Sequence, residues 1–247
     1  METLLFKPSS PLRDNLVIIR AGSQSLHKEW LKDIDNRERT WDIAVSYFGE
    51  DDDYNFEYEE YFFKQKSFKY NAIFELITRN NIFMEYKSVW LPDDDIMCSF
   101  KDINIMFSAF SEYDLQIAQP SLTSDSFISH AITANDQRFD LRFTNFVEVM
   151  APIFSKRALQ RCLPSFSGAR IGWGLDFVWP VLLGGSKTAM GVIDRVTVRH
   201  TRPGGSGSIY KTAKENGFPS PEAEMEDTMK RFGSSIRPMQ VYGVIFK

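Results

Sequence analysis

Two short apolar runs with a helix-like segment between them constrain the fold most strongly. Residues 15–20 read NLVIIR and residues 41–49 read WDIAVSYFG, and a glycine ends or closely follows each run. Short runs rich in β-branched residues and bounded by glycine are typical of buried strands. The intervening SQSLHKEWLKDIDN has a serine start, apolar residues at helical spacing and an asparagine end, which predicts a helix. The order strand, helix, strand predicts an α/β fold.

The same alternation continues along the chain. A helix is predicted over residues 71–79 and a buried strand over MEYKSVWL at 84–91. DINIMFSAFSEY has the spacing of an amphipathic helix, DLQIAQPSL predicts a strand broken by Pro120, and FVEVMAPIFSKRALQRC predicts a strand leading into a helix. GVIDRVTVRH predicts an alternating strand. A last helix is expected to begin at Ser220 and end near Gly233, because serine caps a helix and proline suits its first position.

An acidic, aromatic stretch interrupts this pattern at residues 50–70, EDDDYNFEYEEYFFKQKSFKY. It has no clean period and predicts a long surface excursion. Its carboxylates are compatible with a cation site, but a solvated loop is the favoured interpretation.

Composition narrows the class of protein. A chain of 247 residues with 43% hydrophobic content can bury one large core and fits a single domain. A net charge of −4 argues against a nucleic-acid-binding face. Cys98 and Cys162 are too few for a disulfide framework and are not spaced for a zinc site. No apolar run is long enough to cross a membrane, so a soluble, cytoplasmic protein is expected, with peripheral membrane contact left open.

Three consecutive aspartates follow the strand predicted at 84–91, in the sequence WLPDDDI. Adjacent carboxylates repel one another and need a cation or strong donors close by. In open α/β sheets ligands gather at the carboxyl ends of strands, and alternation along an extended chain puts Asp93 and Asp95 on one side and Asp94 on the other. Mg²⁺ or Mn²⁺ held by one or two carboxylates together with substrate phosphates is one interpretation, which makes a nucleotide diphosphate a natural partner. A solvated acidic turn is the other.

Two further stretches carry candidate site residues. His200 ends the predicted strand GVIDRVTVRH, where its imidazole is suited to complete a metal site, although a lone histidine is more often structural. The adjacent Arg202 and the loop at 204–208 are suited to close over phosphates, or are simply solvated. In GWGLD at 172–176, the glycines allow close backbone approach, Trp173 offers an apolar surface and Asp176 a carboxylate suited to act as a base. A tight turn with a buried tryptophan explains this stretch equally well.

Six motifs resemble a known family. In order, they are WLPDDDI, LQIAQPSLT, SHAIT, FVEVMAPIFS, GWGLD and GVIDRVTVRHTRP, and the match around them covers roughly residues 66–205. Their order and spelling resemble the family named domain of unknown function 707, which is similar to the GT-A glycosyltransferases. The resemblance implies a single GT-A-like (Rossmann-like) α/β domain with a mixed central sheet flanked by helices. It implies a nucleotide-binding half at 1–110, an acceptor and catalytic half at 111–205, and a C-terminal loop and helix at 206–247.

The resemblance also implies roles for individual residues. Asp93 and Asp95 match the outer acids of an Asp-x-Asp metal motif, with Asp94 between them, and His200 matches a late histidine that completes metal coordination. Asp176 matches the base of inverting members, where the family pattern has two acids and this sequence has one. The other residues implied are Lys69 and Arg202 at the nucleotide phosphates, and His130, Thr133, Trp173 and Gly174 around the sugar or acceptor.

The resulting function is a metal-dependent glycosyltransferase, hexosyltransferase-like and inverting. It would use Mn²⁺ or Mg²⁺ and a UDP-sugar, act on a glycan or lipid-linked hydroxyl acceptor, and serve polysaccharide biosynthesis. Two alternatives stay open. A nucleotidyltransferase would use the same carboxylate-bound metal with a triphosphate, and a noncatalytic carbohydrate-binding or scaffold protein would keep only the fold.

Overall fold

The computed structural model describes residues 3–6, 8–32, 34–50, 54, 58–204 and 218–247. Its helices and strands alternate along the chain. The strands are β1 Thr3–Phe6, β2 Asn15–Ala21, β3 Trp41–Tyr47, β4 Tyr61–Lys64, β5 Ser88–Trp90, β6 Ile96–Met97, β7 Ile117–Leu122, β8 Phe139–Thr144, β9 Ile153–Ser155, β10 Met190–His200 and β11 Val241–Phe246. The helices are α1 His27–Trp30, α2 Lys69–Arg79, α3 Phe100–Glu112, α4 Lys156–Phe166, α5 Leu175–Leu182 and α6 Pro221–Arg231.

The described strands form one mixed sheet in the order β1-β4-β3-β2-β5-β9-β7-β10-β8-β11, with β6 paired to β10. Neighbours β4, β3, β2 and β5 are parallel, and so are β7 and β10. β9 runs antiparallel between β5 and β7. Because β9 is reversed, the segment that leads into it lies at the carboxyl edge of its neighbours, which is the edge where α/β proteins bind ligands.

Helices cover both faces of the sheet, which explains why the sequences of its central strands are continuously apolar. Along β2, Val17 and Ile19 pack into the core beneath α1 and α3, and Leu16 and Ile18 pack into the core beneath α2, α4 and α5. All of these side chains are fully buried. The alternation of a strand thus delivers apolar side chains to both layers.

The structure corrects two of the element predictions. The stretch at 50–70 is not wholly a surface excursion, because β4 lies within it and Tyr61, Phe62 and Phe63 are at most 2% exposed. The acidic Glu60 in this stretch is buried, and its side chain accepts a hydrogen bond from the Ile43 N–H. An acidic residue therefore stands next to a buried strand, which hides the apolar pattern of that strand.

The second correction concerns Pro120, which does not break its strand. β7 continues through it to Leu122, with Pro120 opposite Ile193 of β10. The ladder between these strands is irregular from Ile193 to Thr197. A proline that lacks the N–H donor is tolerated at such an irregularity.

Most other elements agree with the sequence predictions. α2, α3, α6 and β10 lie within two residues of the predicted ends. α4 begins inside its predicted stretch and runs four residues past it to Phe166, and α1 keeps only His27–Trp30 of a longer predicted helix. The loop predicted at 204–208 lies, apart from its first residue, outside the described part of the chain. In the described part, no helix is both long and apolar enough to cross a membrane.

Candidate active site

The three aspartates follow β5 at the carboxyl edge of the sheet, and each contacts a different group. Asp93 donates its backbone N–H to the Met150 carbonyl at 2.7 Å, and its Oδ1 accepts from Lys69 Nζ at 2.6 Å. Lys69 begins α2 and also donates to the carbonyls of Val149 at 3.0 Å and Met150 at 3.2 Å. An ammonium group has three donors, so these acceptors use all of them. Lys69 therefore neutralises Asp93 and ties it to residues 149–150.

Asp94 joins three loops at this edge. Its side chain accepts from the Gly22 N–H at 3.0 Å and from Arg202 Nη1 at 3.3 Å, and its carbonyl accepts from the Leu26 N–H at 2.7 Å. Arg202 also donates to the Gln24 carbonyl at 2.5 Å. Burial raises the pKa of Asp94, and the Gly22 and Arg202 contacts oppose that rise. Asp94 and Arg202 thus shape the loop after β2.

Asp95 lies beside His200, the last residue of β10. The imidazole Nε2 is 3.4 Å from Asp95 Oδ2, and Nδ1 is 2.9 Å from the Phe127 carbonyl. A carbonyl oxygen only accepts, so Nδ1 carries the hydrogen and Nε2 faces the carboxylate. Burial lowers the pKa of His200, but the hydrogen bond and charge of Asp95 outweigh it and raise this pKa to about 8.

Two side chains at this edge have donor atoms that fit a metal ion. The Oδ1 atom of Asp95 is buried and has no hydrogen-bond partner among the described residues. Together with His200 Nε2, held in place from Nδ1, it provides two ligands of the kind that Mn²⁺ or Mg²⁺ accepts alongside substrate phosphates. Asp93 is bonded to Lys69 instead, and the described residues contain no group of three or more metal-ligating side chains. The donors fit a cation at Asp95 and His200.

Asp176 lies in the first turn of α5 and is 7% exposed. Its Oδ1 accepts from the Phe177 N–H at 3.0 Å. Burial raises the pKa of Asp176 to about 7, against the effect of this hydrogen bond. A carboxylate with a pKa near neutrality is suited to accept a proton at physiological pH.

The two glycines of GWGLD pack closely against neighbouring helices. Gly172 and Gly174 have positive φ angles of 89° and 91°. A Cβ on Gly172 would lie 2.8 Å from the Tyr70 ring, and one on Gly174 would lie 2.9 Å from the Met225 carbonyl oxygen. The turn therefore needs glycine to fit between α2 and α6 and to start α5 at Leu175, directly before Asp176. Trp173, between them, is partly exposed.

His130 is half-buried and Thr133 is buried, and ring contacts link His130 to α5. Thr133 is fully buried and donates its hydroxyl to the His130 carbonyl at 2.8 Å. The His130 ring packs edge-on against Phe146 at 4.7 Å, and Phe146 packs on Phe177 at 5.7 Å. Burial lowers the pKa of His130. Both residues have packing roles here, and their contact with a sugar stays a prediction.

One carboxylate of the site was not singled out from the sequence. Glu148 is 7% exposed and its Oε2 has no described hydrogen-bond partner. Burial raises its pKa to about 7, opposed by the charge of His200 and reinforced by Asp176 and Asp93. A glutamate inside the apolar stretch FVEVMAP was the available signal, because glutamate is almost never buried without a partner.

Two solved structures share this architecture. The crystal structure of S. aureus TarS 1-349 superposes with a TM-score of 0.53 and 10% identity, covering 89% of this chain and 72% of that one. The structure of S. aureus TarS 1-349 in complex with UDP-GlcNAc gives a TM-score of 0.55 and 11% identity, covering 89% and 65%. The chain thus spans 72% and 65% of the length of these two TarS 1-349 chains. Identities this low demonstrate a shared fold.

These likenesses show the fold, which is the GT-A-like fold predicted from the sequence: a single α/β domain with a mixed central sheet flanked by helices. No protein-family model and no curated protein sequence matches the chain. The resemblance to domain of unknown function 707 therefore stays a prediction.

Proposed function

We propose that this protein is a glycosyltransferase that moves a sugar from a nucleotide-sugar, with UDP as the nucleotide, to a hydroxyl group of a glycan or lipid-linked acceptor. The observation that carries the proposal is the buried carboxylate of Asp176, which acts together with Asp93 and His200 on the charge of Glu148. The GT-A-like fold shared with the TarS complex with UDP-GlcNAc supports the choice of nucleotide.

The charges of the site support binding of a diphosphate together with a cation. Asp93 and Glu148 are within electrostatic reach of Lys69 and His200, and Asp93 is also within reach of Asp95. Carboxylates outnumber cations here, which disfavours a bare diphosphate. Mn²⁺ or Mg²⁺ held by Asp95 and His200 would supply Lewis-acid stabilisation of the leaving diphosphate, worth several kcal/mol.

Side chains of the protein would carry out the proton transfer and hold the donor site in place. Asp176 takes the proton of the acceptor hydroxyl. The oxygen of that hydroxyl bonds to the anomeric carbon of the donor sugar, and the bond from that carbon to the diphosphate breaks. Attack opposite the leaving group inverts the anomeric centre. Lys69 holds Asp93 and the carbonyls of residues 149–150 in place, and the Asp94–Arg202 pair fixes the loop after β2 against the donor.

Ligand-dependent thermal stability tests the donor site. The melting temperature is measured with a panel of nucleoside diphosphates, with Mn²⁺ and then with EDTA, for wild type, Asp95→Ala and the exposed control Asp227→Ala. A ligand at about 100 times its Kd stabilises by roughly 2.7 kcal/mol. We expect UDP to raise the melting temperature only with metal, in wild type and control but not in Asp95→Ala.

Product analysis tests the chemistry. The protein is incubated with UDP-sugars and metal, and release of UDP is followed; Asp176→Asn is expected to abolish it while keeping UDP binding. Release of pyrophosphate from a nucleoside triphosphate would instead identify a nucleotidyltransferase. Sugar binding that survives unchanged in Asp176→Asn, without turnover in wild type, would identify a noncatalytic protein.

A further inference from the structure

Glu148 is a buried carboxylate that the mechanism above does not use. It lies in the segment between β8 and β9, which reaches the carboxyl edge because β9 is reversed in the sheet. Its backbone N–H donates to Oε1 of the fully buried Gln119 at 2.6 Å. The two following carbonyls, of Val149 and Met150, hold Lys69. The backbone on both sides of Glu148 is therefore fixed.

Its side chain has no comparable anchor. Glu148 is 7% exposed, yet its Oε2 accepts no hydrogen bond from the described residues. Leaving a buried acceptor unpaired costs stability, and such groups in native proteins are explained by strain, a catalytic role, or a water, ion or ligand that pairs with them. Packing alone would be served better by an apolar side chain of the same length.

Contacts of the residues next to Glu148 place it beside Asp93 and near the turn that leads to Asp176. The Met150 carbonyl accepts from the Asp93 N–H at 2.7 Å, and the Val149 carbonyl accepts at 2.6 Å from the hydroxyl of Tyr70, whose ring would lie 2.8 Å from a Cβ on Gly172. The charges of His200, Asp176, Asp93 and Lys69 all act on Glu148. Asp176 is the proposed base, so a hydroxylated molecule whose reacting group lies at Asp176 brings its neighbouring groups within range of Glu148. A carboxylate with an unused oxygen there is suited to accept from a hydroxyl donor.

We propose that Glu148 binds the acceptor, accepting at Oε2 a hydrogen bond from a second hydroxyl beside the one that reacts. The reacting hydroxyl loses its proton to Asp176, and the second hydroxyl keeps its proton and donates to Glu148. The acceptor class is then a molecule with two neighbouring hydroxyls, such as a sugar ring or polyol, and not a simple alcohol or a serine side chain. This inference rests on the proposed glycosyl transfer.

Competition between small acceptors tests the inference without knowledge of the natural one. Wild type is incubated with metal and a panel of UDP-sugars, together with equal concentrations of cyclohexanol and either cis- or trans-1,2-cyclohexanediol. Mass spectrometry measures the ratio of diol glycoside to monoalcohol glycoside. We expect one of the diols to be favoured by about tenfold or more, the factor for a hydrogen bond to a charged group.

Three variants assign that preference. Glu148→Met keeps the length of the side chain and removes the acceptor, so the diol preference should fall to about one. Glu148→Gln keeps one oxygen and should retain part of it. Glu226→Gln, an exposed change on α6, should behave as wild type. The melting temperature of Glu148→Met should not fall, since no protein contact of Oε2 is lost.

The outcomes separate the two proposals. If wild type consumes no UDP-sugar under any condition, glycosyl transfer fails and this inference fails with it. If wild type glycosylates both acceptors without preference, or if Glu148→Met keeps the preference, the role of Glu148 is refuted and glycosyl transfer stands. A large fall in the melting temperature of Glu148→Met would assign Glu148 to the fold instead.

Discussion

Replacing Asp176 by asparagine should stabilise the folded protein, and by more as the pH rises. Burial raises the pKa of Asp176 from 3.8 to about 7, so the folded protein holds this proton up to neutrality while the unfolded chain releases it near pH 4. Between these values the unfolded state binds fewer protons than the folded state. Stability contributed by this group therefore falls as the pH rises from about 4 to 7.

The magnitude follows from the pKa difference. Each pKa unit corresponds to about 1.4 kcal/mol, so ionising Asp176 inside the protein costs on the order of 4 kcal/mol above pH 7. Asparagine carries no charge and keeps an oxygen to accept from the Phe177 N–H. The gain from Asp176→Asn should thus grow by about 3 kcal/mol between pH 5 and pH 8.

Urea unfolding at pH 5, 6, 7 and 8 measures this gain for wild type, Asp176→Asn and the exposed control Asp227→Asn. The control should show little change in its free-energy difference from wild type across this range. A gain for Asp176→Asn that is independent of pH, or a loss at pH 8, would refute the reasoning that Asp176 is a strained, desolvated carboxylate.

Three further outcomes are expected. The rate of UDP release should rise about tenfold per pH unit below pH 7 and level off above it, because Asp176 must be ionised to accept a proton; a rate that is flat from pH 5.5 to 7.5 would contradict its role as base. Gly174→Ala should lower the free energy of unfolding in urea by about 1–3 kcal/mol, because the new Cβ would lie 2.9 Å from the Met225 carbonyl oxygen and a φ of 91° disfavours alanine. Gly184→Ala is the control, because Gly184 also has a positive φ but a Cβ there meets nothing within 4 Å. The difference between the two losses measures the packing contribution at Gly174. Lys69→Met should cost about 1–3 kcal/mol of stability, because Asp93 and two carbonyls lose their donor; an unchanged midpoint in urea would show that these contacts contribute nothing.

The sequence predicts the layers of this fold well because its central strands are buried on both faces. Val17 and Leu16 belong to different cores, so the run NLVIIR has no polar alternation and can be recognised as a central strand. The same criterion fails for β4, where the acidic Glu60 is paired inside the protein with Arg13 and Arg39. Partners distant in sequence cannot be inferred from local composition.

The candidate site also contains some residues that local sequence rules predict and some contacts that only the tertiary structure reveals. Asp93, Asp95 and Asp176 can be predicted as candidates because their positions follow from local rules, at a strand end and after a glycine turn. The engagement of Lys69 with residues 149–150 depends on how α2 meets the segment before β9, which no local pattern specifies. Pro120 is the converse case, since its local rule predicts a break and pairing with β10 overrides it.

The antiparallel strand β9 links these observations. Because β9 is inserted between β5 and β7, the segment that leads into it, from Glu148 to Met150, lies at the carboxyl edge beside Asp93. Lys69 bonds Asp93 directly and also donates to the carbonyls of Val149 and Met150, whereas the Oε2 of Glu148 has no hydrogen-bond partner among the described residues. An unpaired buried acceptor lowers the stability of the fold, and an apolar side chain of the same length would remove that cost. The proposed hydrogen bond from an acceptor hydroxyl to Oε2 would account for a carboxylate at this position, at a cost in stability of the kind that functional sites commonly carry.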